Sequence, residues 1–302
     1  EVLHDGAAPT EIGERGINLS GGTKARIALA RAMYSCRSIG IFDDPLSAVD
    51  PHVSAALFDN LFSNHGSMRN RTRVLVTHQS RLASSADFII VMKQNQIAFQ
   101  GTYQELKATG LYDALTQAEE DEQQKLLSDS VSVVEEIMNS PDQEIPTNLI
   151  SQAKAILIFP TMVKAGFLLG GRYGGGVASV RSKSTGEFGP PTFLTQSGLS
   201  FGFQIGAEAV DLILLVMTER GLKSLLQDQF TLGADAAVSA GPIGRHAEAA
   251  ADVRMQGEIY SYSRSKGAFA GISLKGTVIS SNGDANYVYY GQPFKAKDIL
   301  LR

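Results

Sequence analysis

A single cysteine, Cys36, stands in the 302 residues. That excludes an intramolecular disulfide and a cysteine-based zinc site and fits a reducing compartment, with a small buried side chain as the expected role. Long apolar runs are missing as well. The longest, Leu212 to Met217, is six residues, against the roughly 18 or more that a membrane-spanning helix needs. No basic-then-apolar leader opens the chain, and Glu1 is not expected to be a natural initiation residue. Positive charge is not in excess. Twelve basic residues face 15 acidic ones as far as Lys125, and 15 face 16 beyond it, which excludes nucleic-acid binding by bulk charge. No internal repeat is found.

Hydrophobic residues make up 43% and charged residues 19% of the chain, enough apolar material for true cores, and the length allows one large domain or two ordinary ones. Residues 1–110 alternate short apolar runs (Ile39 to Phe42, Val74 to Thr77, Phe88 to Met92, Gln96 to Phe99) with helical stretches, predicting an α/β sheet flanked by helices. From Leu111 an amphipathic helix passes into a polar acidic tail ending near Lys125, where the domain boundary is placed: 1–124 and 125–302. Beyond Lys125 lie 21 of the 30 glycines. Short strands joined by glycine turns are expected there, including two around Pro160, with helices at Leu126 to Asn139, Pro146 to Ala153 and Glu219 to Gln229. The fold class is therefore two domains, an α/β piece followed by a β-rich α+β domain.

Three elements of the first piece carry chemistry. Leu19-Ser20-Gly21-Gly22-Thr23 opens a helix whose apolar residues are Ile27, Leu29, Ala30 and Met33. Ser20 is placed to cap it, and two glycines at a helix start let an anion approach the backbone amides. Asp43 and Asp44 close the apolar strand Ile39 to Phe42, a position suited to magnesium. His78 ends the strand Val74 to Thr77, where a structural role is the ordinary alternative.

In order and spacing these elements resemble the ABC ATPases, specifically the first nucleotide-binding domain of the multidrug-resistance-associated (ABCC) subfamily. The signature is Leu19 to Thr23, Walker B is Ile39 to Asp44, the D-loop is Ser47-Ala48-Val49-Asp50 and the switch histidine is His78. The resemblance implies that Asp43 holds Mg, that His78 meets the γ-phosphate, and that Leu19 to Thr23 with Asp50 face ATP held by a partner domain. Asp44 stands where an active site carries glutamate as base. One methylene shorter, it implies a slow or inactive centre. The phosphate-cradling G-x-x-x-x-G-K-[ST] occurs nowhere in the chain. ATP and Mg are thus expected only if the domain is completed, and the chain alone is expected not to be an ATPase.

The second piece reads Ala155-Ile-Leu-Ile-Phe-Pro160, Gly170-Gly-Arg-Tyr-Gly-Gly-Gly176, Phe230-Thr-Leu-Gly-Ala-Asp235 and Ile259-Tyr-Ser-Tyr-Ser-Arg-Ser-Lys266. In order and over roughly 150 residues these segments resemble the SYLF family of lipid-binding domains. The resemblance implies a cytoplasmic protein, peripheral at the membrane face, whose partner is membrane lipid; phosphoinositide and actin binding belong to some members. Here the first helix carries Asp129, Glu135 and Glu136 and no basic residue from Leu126 to Asn139, so little phosphoinositide preference is expected. Candidate lipid contacts are Arg172, Tyr173, Tyr260, Tyr262, Arg264 and Lys266, although alternation on one strand face would produce the same pattern. His246 has no nucleophile near it in the sequence, and no cofactor is expected for this half.

The leading expectation is a lipid-binding module attached to an incomplete ABC domain. A fragment of an ABC transporter, completed by missing sequence or by a second nucleotide-binding domain with its transmembrane partner, is the first alternative; a chimeric or mispredicted reading frame is the second. Residues 126–302 are expected to fold alone and residues 1–125 to be poorly soluble.

Overall fold

The structure, a computed structural model, describes residues 21–35, 37–46, 49, 51–139, 145–167, 169–201, 206–242, 257–265, 268–271 and 274–302. By their contacts the residues fall into two compact units, Glu1–Ser85 and Ala86–Arg302.

In the first unit, α1 (Gly21–Tyr34) precedes β1 (Ile39–Asp43), α2 (Pro51–Phe62) and β2 (Thr72–Val76). The two strands are parallel, Ile39 opposite Thr72 and Asp43 opposite Val76, as a helical crossover between them requires. Alternation sends Phe42 and Leu75 toward the helices, where a core forms around Leu29, Leu46, Leu61, Phe62 and Met68. The Phe42 and Phe62 rings meet edge to face at 4.9 Å. The opposite face carries Ile39, Ile41, Val74 and Val76, which are 61, 74, 46 and 52% exposed. The expected sheet therefore has one apolar face uncovered within this unit. Residues 89–101 form a two-stranded ribbon of their own.

That ribbon opens the second unit. Strands β3 (Ile89–Lys93) and β4 (Gln96–Gly101) are antiparallel. Gln94 and Asn95 turn between them with φ of 50° and 60°, the two positive values that suit a tight hairpin. Next comes α3 (Tyr103–Ala108), whose N-terminus is closed by a capping box between Thr102 and Glu105. The Glu105 carboxyl sits below its ordinary range because the Thr102 amide, and then its hydroxyl, donate to it.

Helix α4 spans Leu111–Asn139 without a break. The acidic stretch expected as a tail is part of it, and so is the helix expected to begin at Leu126. The stretch is rich in Glu, Gln, Ala and Leu and contains no glycine or proline, so propensity carries the helix through a segment that buries little. A cut after Lys125 would fall inside α4.

There follow α5 (Thr147–Gln152), β5 (Ala155–Phe167), β6 (Leu169–Val180), β7 (Thr192–Phe201), β8 (Gly206–Val216), α6 (Glu219–Leu225), β9 (Gln229–Thr231), β10 (Val238–Ala240), β11 (Ile259–Ser265), β12 (Ala268–Gly271), β13 (Val278–Ser281), α7 (Gly283–Tyr290) and α8 (Ala296–Leu300). Nine strands form one sheet in the order β10-β11-β8-β5-β6-β7-β13-β9, with β12 also on β11. In a flat sheet the two outermost strands would lie about 34 Å apart at ~4.8 Å per spacing. The segment joining them, residues 232–237, reaches at most about 25 Å. The sheet has to curl.

Curling gives it two buried faces. On one, Leu157, Phe159, Met162, Leu212, Leu214, Phe230 and Ile279 pack together. On the other, Ile156, Ile158, Phe193, Ile213 and Tyr262 lie against Val133 of α4 and Leu149 of α5. Because β8 is covered on both sides, every residue from Leu212 to Val216 is fully buried, which is why the longest apolar run stands there. Glu219–Leu225 is shorter than the helix expected through Gln229.

Pro160 lies within one long strand rather than between two. It sits where β5 shifts register against both neighbours, between Ile158 and Val163 toward β6 and between Phe159 and Met162 toward β8. A proline in a central strand has no N–H for the ladder and is accommodated at such a bulge.

Candidate functional site

In the first unit the geometry gathers Asp43, Asp44 and His78 at the ends of β1 and β2. Asp44 has a left-handed backbone with φ of 42°, held by its amide donating to the Val76 carbonyl at 2.8 Å. Its Oδ2 lies 3.2 Å from His78 Nδ1, with the two side chains 34 and 62% exposed. A pair this exposed contributes at most about 1 kcal/mol. Thr23 sits in the first turn of α1 and the glycines 21 and 22 begin that helix. Leu19, Ser20 and Asp50 lie outside the described residues. Strand-end carboxylates and an imidazole can meet a metal and a phosphate, but the chain contains no loop of P-loop pattern. Among the described residues no group of three or more His, Cys, Asp or Glu is placed to hold a metal.

In the second unit the candidate contacts separate. Tyr260, Tyr262 and Arg264 alternate onto the face of β11 that α4 and α5 cover, as period-two geometry dictates. Tyr260 and Tyr262 are 8 and 0% exposed, so they are core residues and not surface contacts. Tyr262 donates its hydroxyl to the Pro242 carbonyl at 3.3 Å, and burial pushes its phenol well above the ordinary range. Its ring occupies the space a side chain at Gly241 would need, 2.0 Å from an ideal Cβ. Tyr173 is 65% exposed and remains available. The Arg172 side chain and Lys266, like His246 and Cys36, fall outside the described residues.

Arg264 is the centre of a polar cluster within this apolar face. Its Nε donates to Asp211 Oδ2 at 2.7 Å, and its Nη2 lies 2.5 Å from the same oxygen, the two side chains being 18 and 15% exposed. The other carboxylate oxygen of Asp211 accepts the Thr161 amide at 2.9 Å. Thr161 follows Pro160 in the bulge, with a left-handed φ of 53°, so Asp211 secures a backbone conformation that a β-branched residue seldom adopts. From α4, Glu136 reaches Arg264 Nη1 and closes the cluster on its solvent side; its side chain is 56% exposed. Burial lowers the Arg264 pKa from its usual value, yet the guanidinium stays charged at any physiological pH.

Sequence reasoning missed Asp211, Glu136 and Asn286 as partners. The signal for Asp211 was a lone acid opening the apolar run after Val210, since a buried charge needs a partner. Asn286, fully buried in α7, accepts from the Phe193 amide at 2.9 Å and the Thr192 hydroxyl at 3.1 Å. Beside it, Tyr290 donates to the Pro191 carbonyl at 2.5 Å, and burial pushes its phenol up to about 12.

Residues 197–302 match the family model described as "Ysc84: Las17-binding protein actin regulator". The chain is 40% identical over 162 residues to LAS seventeen-binding protein 3 of Saccharomyces cerevisiae, covering 53% of this chain and 35% of that protein. It is 34% identical over 164 residues to SH3 domain-containing YSC84-like protein 1 of Rattus norvegicus, covering 54% of this chain and 48% of that protein. It is also 58% identical over 102 residues to ABC transporter C family member 2 of Dictyostelium discoideum, which is 34% of this chain but 7% of that protein. The chain thus spans less than half of each of these relatives. No described helix is long and apolar enough to cross a membrane.

Proposed function

We propose that this chain is a SYLF-type lipid-binding module attached to part of an ABC transporter nucleotide-binding domain, and that its working activity is binding and not ATP hydrolysis. The observation that carries the reading is the match of residues 197–302 to the Ysc84 family, together with the yeast and rat similarities over more than half of the chain. A β-rich unit built around one large curled sheet is in keeping with it. The lipid surface is assigned to the exposed Tyr173 and its surroundings, since an aromatic ring with a polar tip suits a membrane interface. The description of the family model also favours an actin-regulatory partner for this half.

For the first unit the proposal is a fragment of an ABC domain. Support comes from the 58% identity to a Dictyostelium transporter and from the position of Asp43, Asp44 and His78 at the same ends of β1 and β2, with Asp44 and His78 paired. Its uncovered face of Ile39, Ile41, Val74 and Val76 is the surface further strands of such a domain would pack on. ATP and Mg would act here only with a P-loop supplied from elsewhere, and a joined reading frame of two unrelated genes stays an alternative that sequencing of the source locus would decide.

Two measurements test this reading. In co-sedimentation with neutral, anionic and phosphoinositide-containing vesicles the full chain is expected to bind, with weak dependence on anionic lipid because α4 between Leu126 and Asn139 is acidic. Tyr173→Ala is expected to lower the bound fraction about three- to tenfold, as loss of an interfacial aromatic would; failure to bind all three vesicle types removes the assigned function. In a phosphate-release assay the purified chain is expected to show no magnesium-dependent ATP turnover. Turnover abolished by Asp43→Ala would sink that expectation.

A further inference from the structure

We propose that Glu136 is an intramolecular guard on a phosphate-binding site whose cation is Arg264. The inference rests on the lipid-binding reading above and adds to it a built-in control. Arg264 is anchored from beneath by Asp211, which takes both Nε and Nη2. Anchoring in this way leaves the Nη1 side of the planar fork directed at α4, where the Glu136 carboxylate meets it. A carboxylate and a phosphate offer a guanidinium the same pair of acceptor oxygens, so Glu136 occupies the place that a lipid phosphate would take.

The two bonds to Arg264 differ in how easily they exchange. Asp211 is 15% exposed and tied to the Thr161 amide, whereas Glu136 is 56% exposed and belongs to the last turns of a helix. The Glu136 end of its pair is therefore open to water while the Arg264 end is largely enclosed, and it is at the open end that a competing anion can enter and displace the carboxylate. The same acid keeps α4 unattractive to anionic membrane until that exchange occurs, because like charges repel at the lipid surface. Arg264 is thus presented when Glu136 is neutralised or displaced, and Leu126, Leu127 and Val134 of α4, which pack only partly buried on the sheet, lie on the helix that displacement would loosen.

The test uses the full chain and vesicles of phosphatidylcholine with and without phosphatidylserine. Glu136→Gln is expected to raise capture by the anionic vesicles about two- to fivefold, the factor an ion pair open to water at its acidic end is worth. Glu135→Gln removes the same charge from an exposed neighbour and is expected to change capture much less. Equal gains from the two variants would reduce the effect to bulk charge and overturn the proposal. Added to Glu136→Gln, Arg264→Gln is expected to cancel the gain, with thermal melts confirming that the double variant is folded. Where it is not folded, inorganic phosphate takes its place. Phosphate must release the Glu136→Gln chain from anionic vesicles more effectively than chloride at equal ionic strength, and no difference between them refutes Arg264 as the phosphate site. Wild type binding vesicles with Glu136→Gln no stronger overturns the guard alone, whereas neither chain binding any vesicle overturns the lipid reading as well.

Discussion

Gly176→Val is expected to cost the second unit about 3 kcal/mol, the upper end for overpacking a closed core, which lowers the melting temperature by about 6 to 12 °C for a unit of this size. Gly176 lies on β6 where that strand faces the β5 bulge. An ideal Cβ there would stand 2.3 Å from Phe159 Cδ1 and 2.5 Å from the Ile158 carbonyl oxygen. Phe159 is fully buried and the oxygen belongs to the backbone, so neither neighbour can turn away cheaply. Gly174→Ala is the matched control. Its nearest neighbour is the Met162 Cα at 3.3 Å, a contact that a few tenths of an ångström relieves, and it is expected to cost about 1 kcal/mol. Calorimetry of both variants checks the pair, and equal melting temperatures would refute the geometry claimed for this strand.

Asp211→Ala is the second large effect, with an expected loss of about 2 to 4 kcal/mol. Removing one member of a buried ion pair costs roughly 3 to 5 kcal/mol, and the partial exposure of Asp211 and Arg264, 15 and 18%, brings that down through solvent screening. Two groups lose a partner at once. Arg264 loses the carboxylate that takes its Nε and Nη2, and the Thr161 amide loses its acceptor while remaining in a left-handed backbone. Asp211→Asn retains a carbonyl oxygen for Thr161 but not the charge, so it is expected to fall between wild type and Asp211→Ala. Chemical denaturation with the slope held fixed provides the measurement; an Asp211→Ala midpoint indistinguishable from wild type would show that the cluster does not hold the bulge.

Both predictions depend on residues whose importance lay partly outside sequence reach. Glycine-rich strands were legible around residues 170–176, but which glycine touches a phenylalanine depends on how β6 pairs with β5. Pro160 read as a break between two strands because a central strand normally excludes proline, whereas the bulge at Thr161 absorbs it and the strand continues. The acidic segment before Lys125 read as a tail because it has few apolar residues, yet its helix-forming residues join it to the next helix as one element. Tyr260, Tyr262 and Arg264 could be placed on one strand face by period alone. Whether that face met water or a helix could not.

By itself the sequence determined the shift to glycine-rich composition beyond Lys125, the strand runs of the first 110 residues, the apolar run Leu212 to Met217, the strand-end acids Asp43 and Asp44 and the absence of a P-loop pattern. These are properties of local composition and spacing, and they hold wherever the chain folds. Tertiary structure alone decided that the sheet curls, that Tyr260 and Tyr262 are interior while Tyr173 is exposed, and that Arg264 belongs to Asp211 and Glu136. Those partners stand 53 and 128 residues from Arg264 along the chain. Pairings across such separations are set by which strands lie side by side and which helix covers them, and no local pattern of residue types encodes that choice.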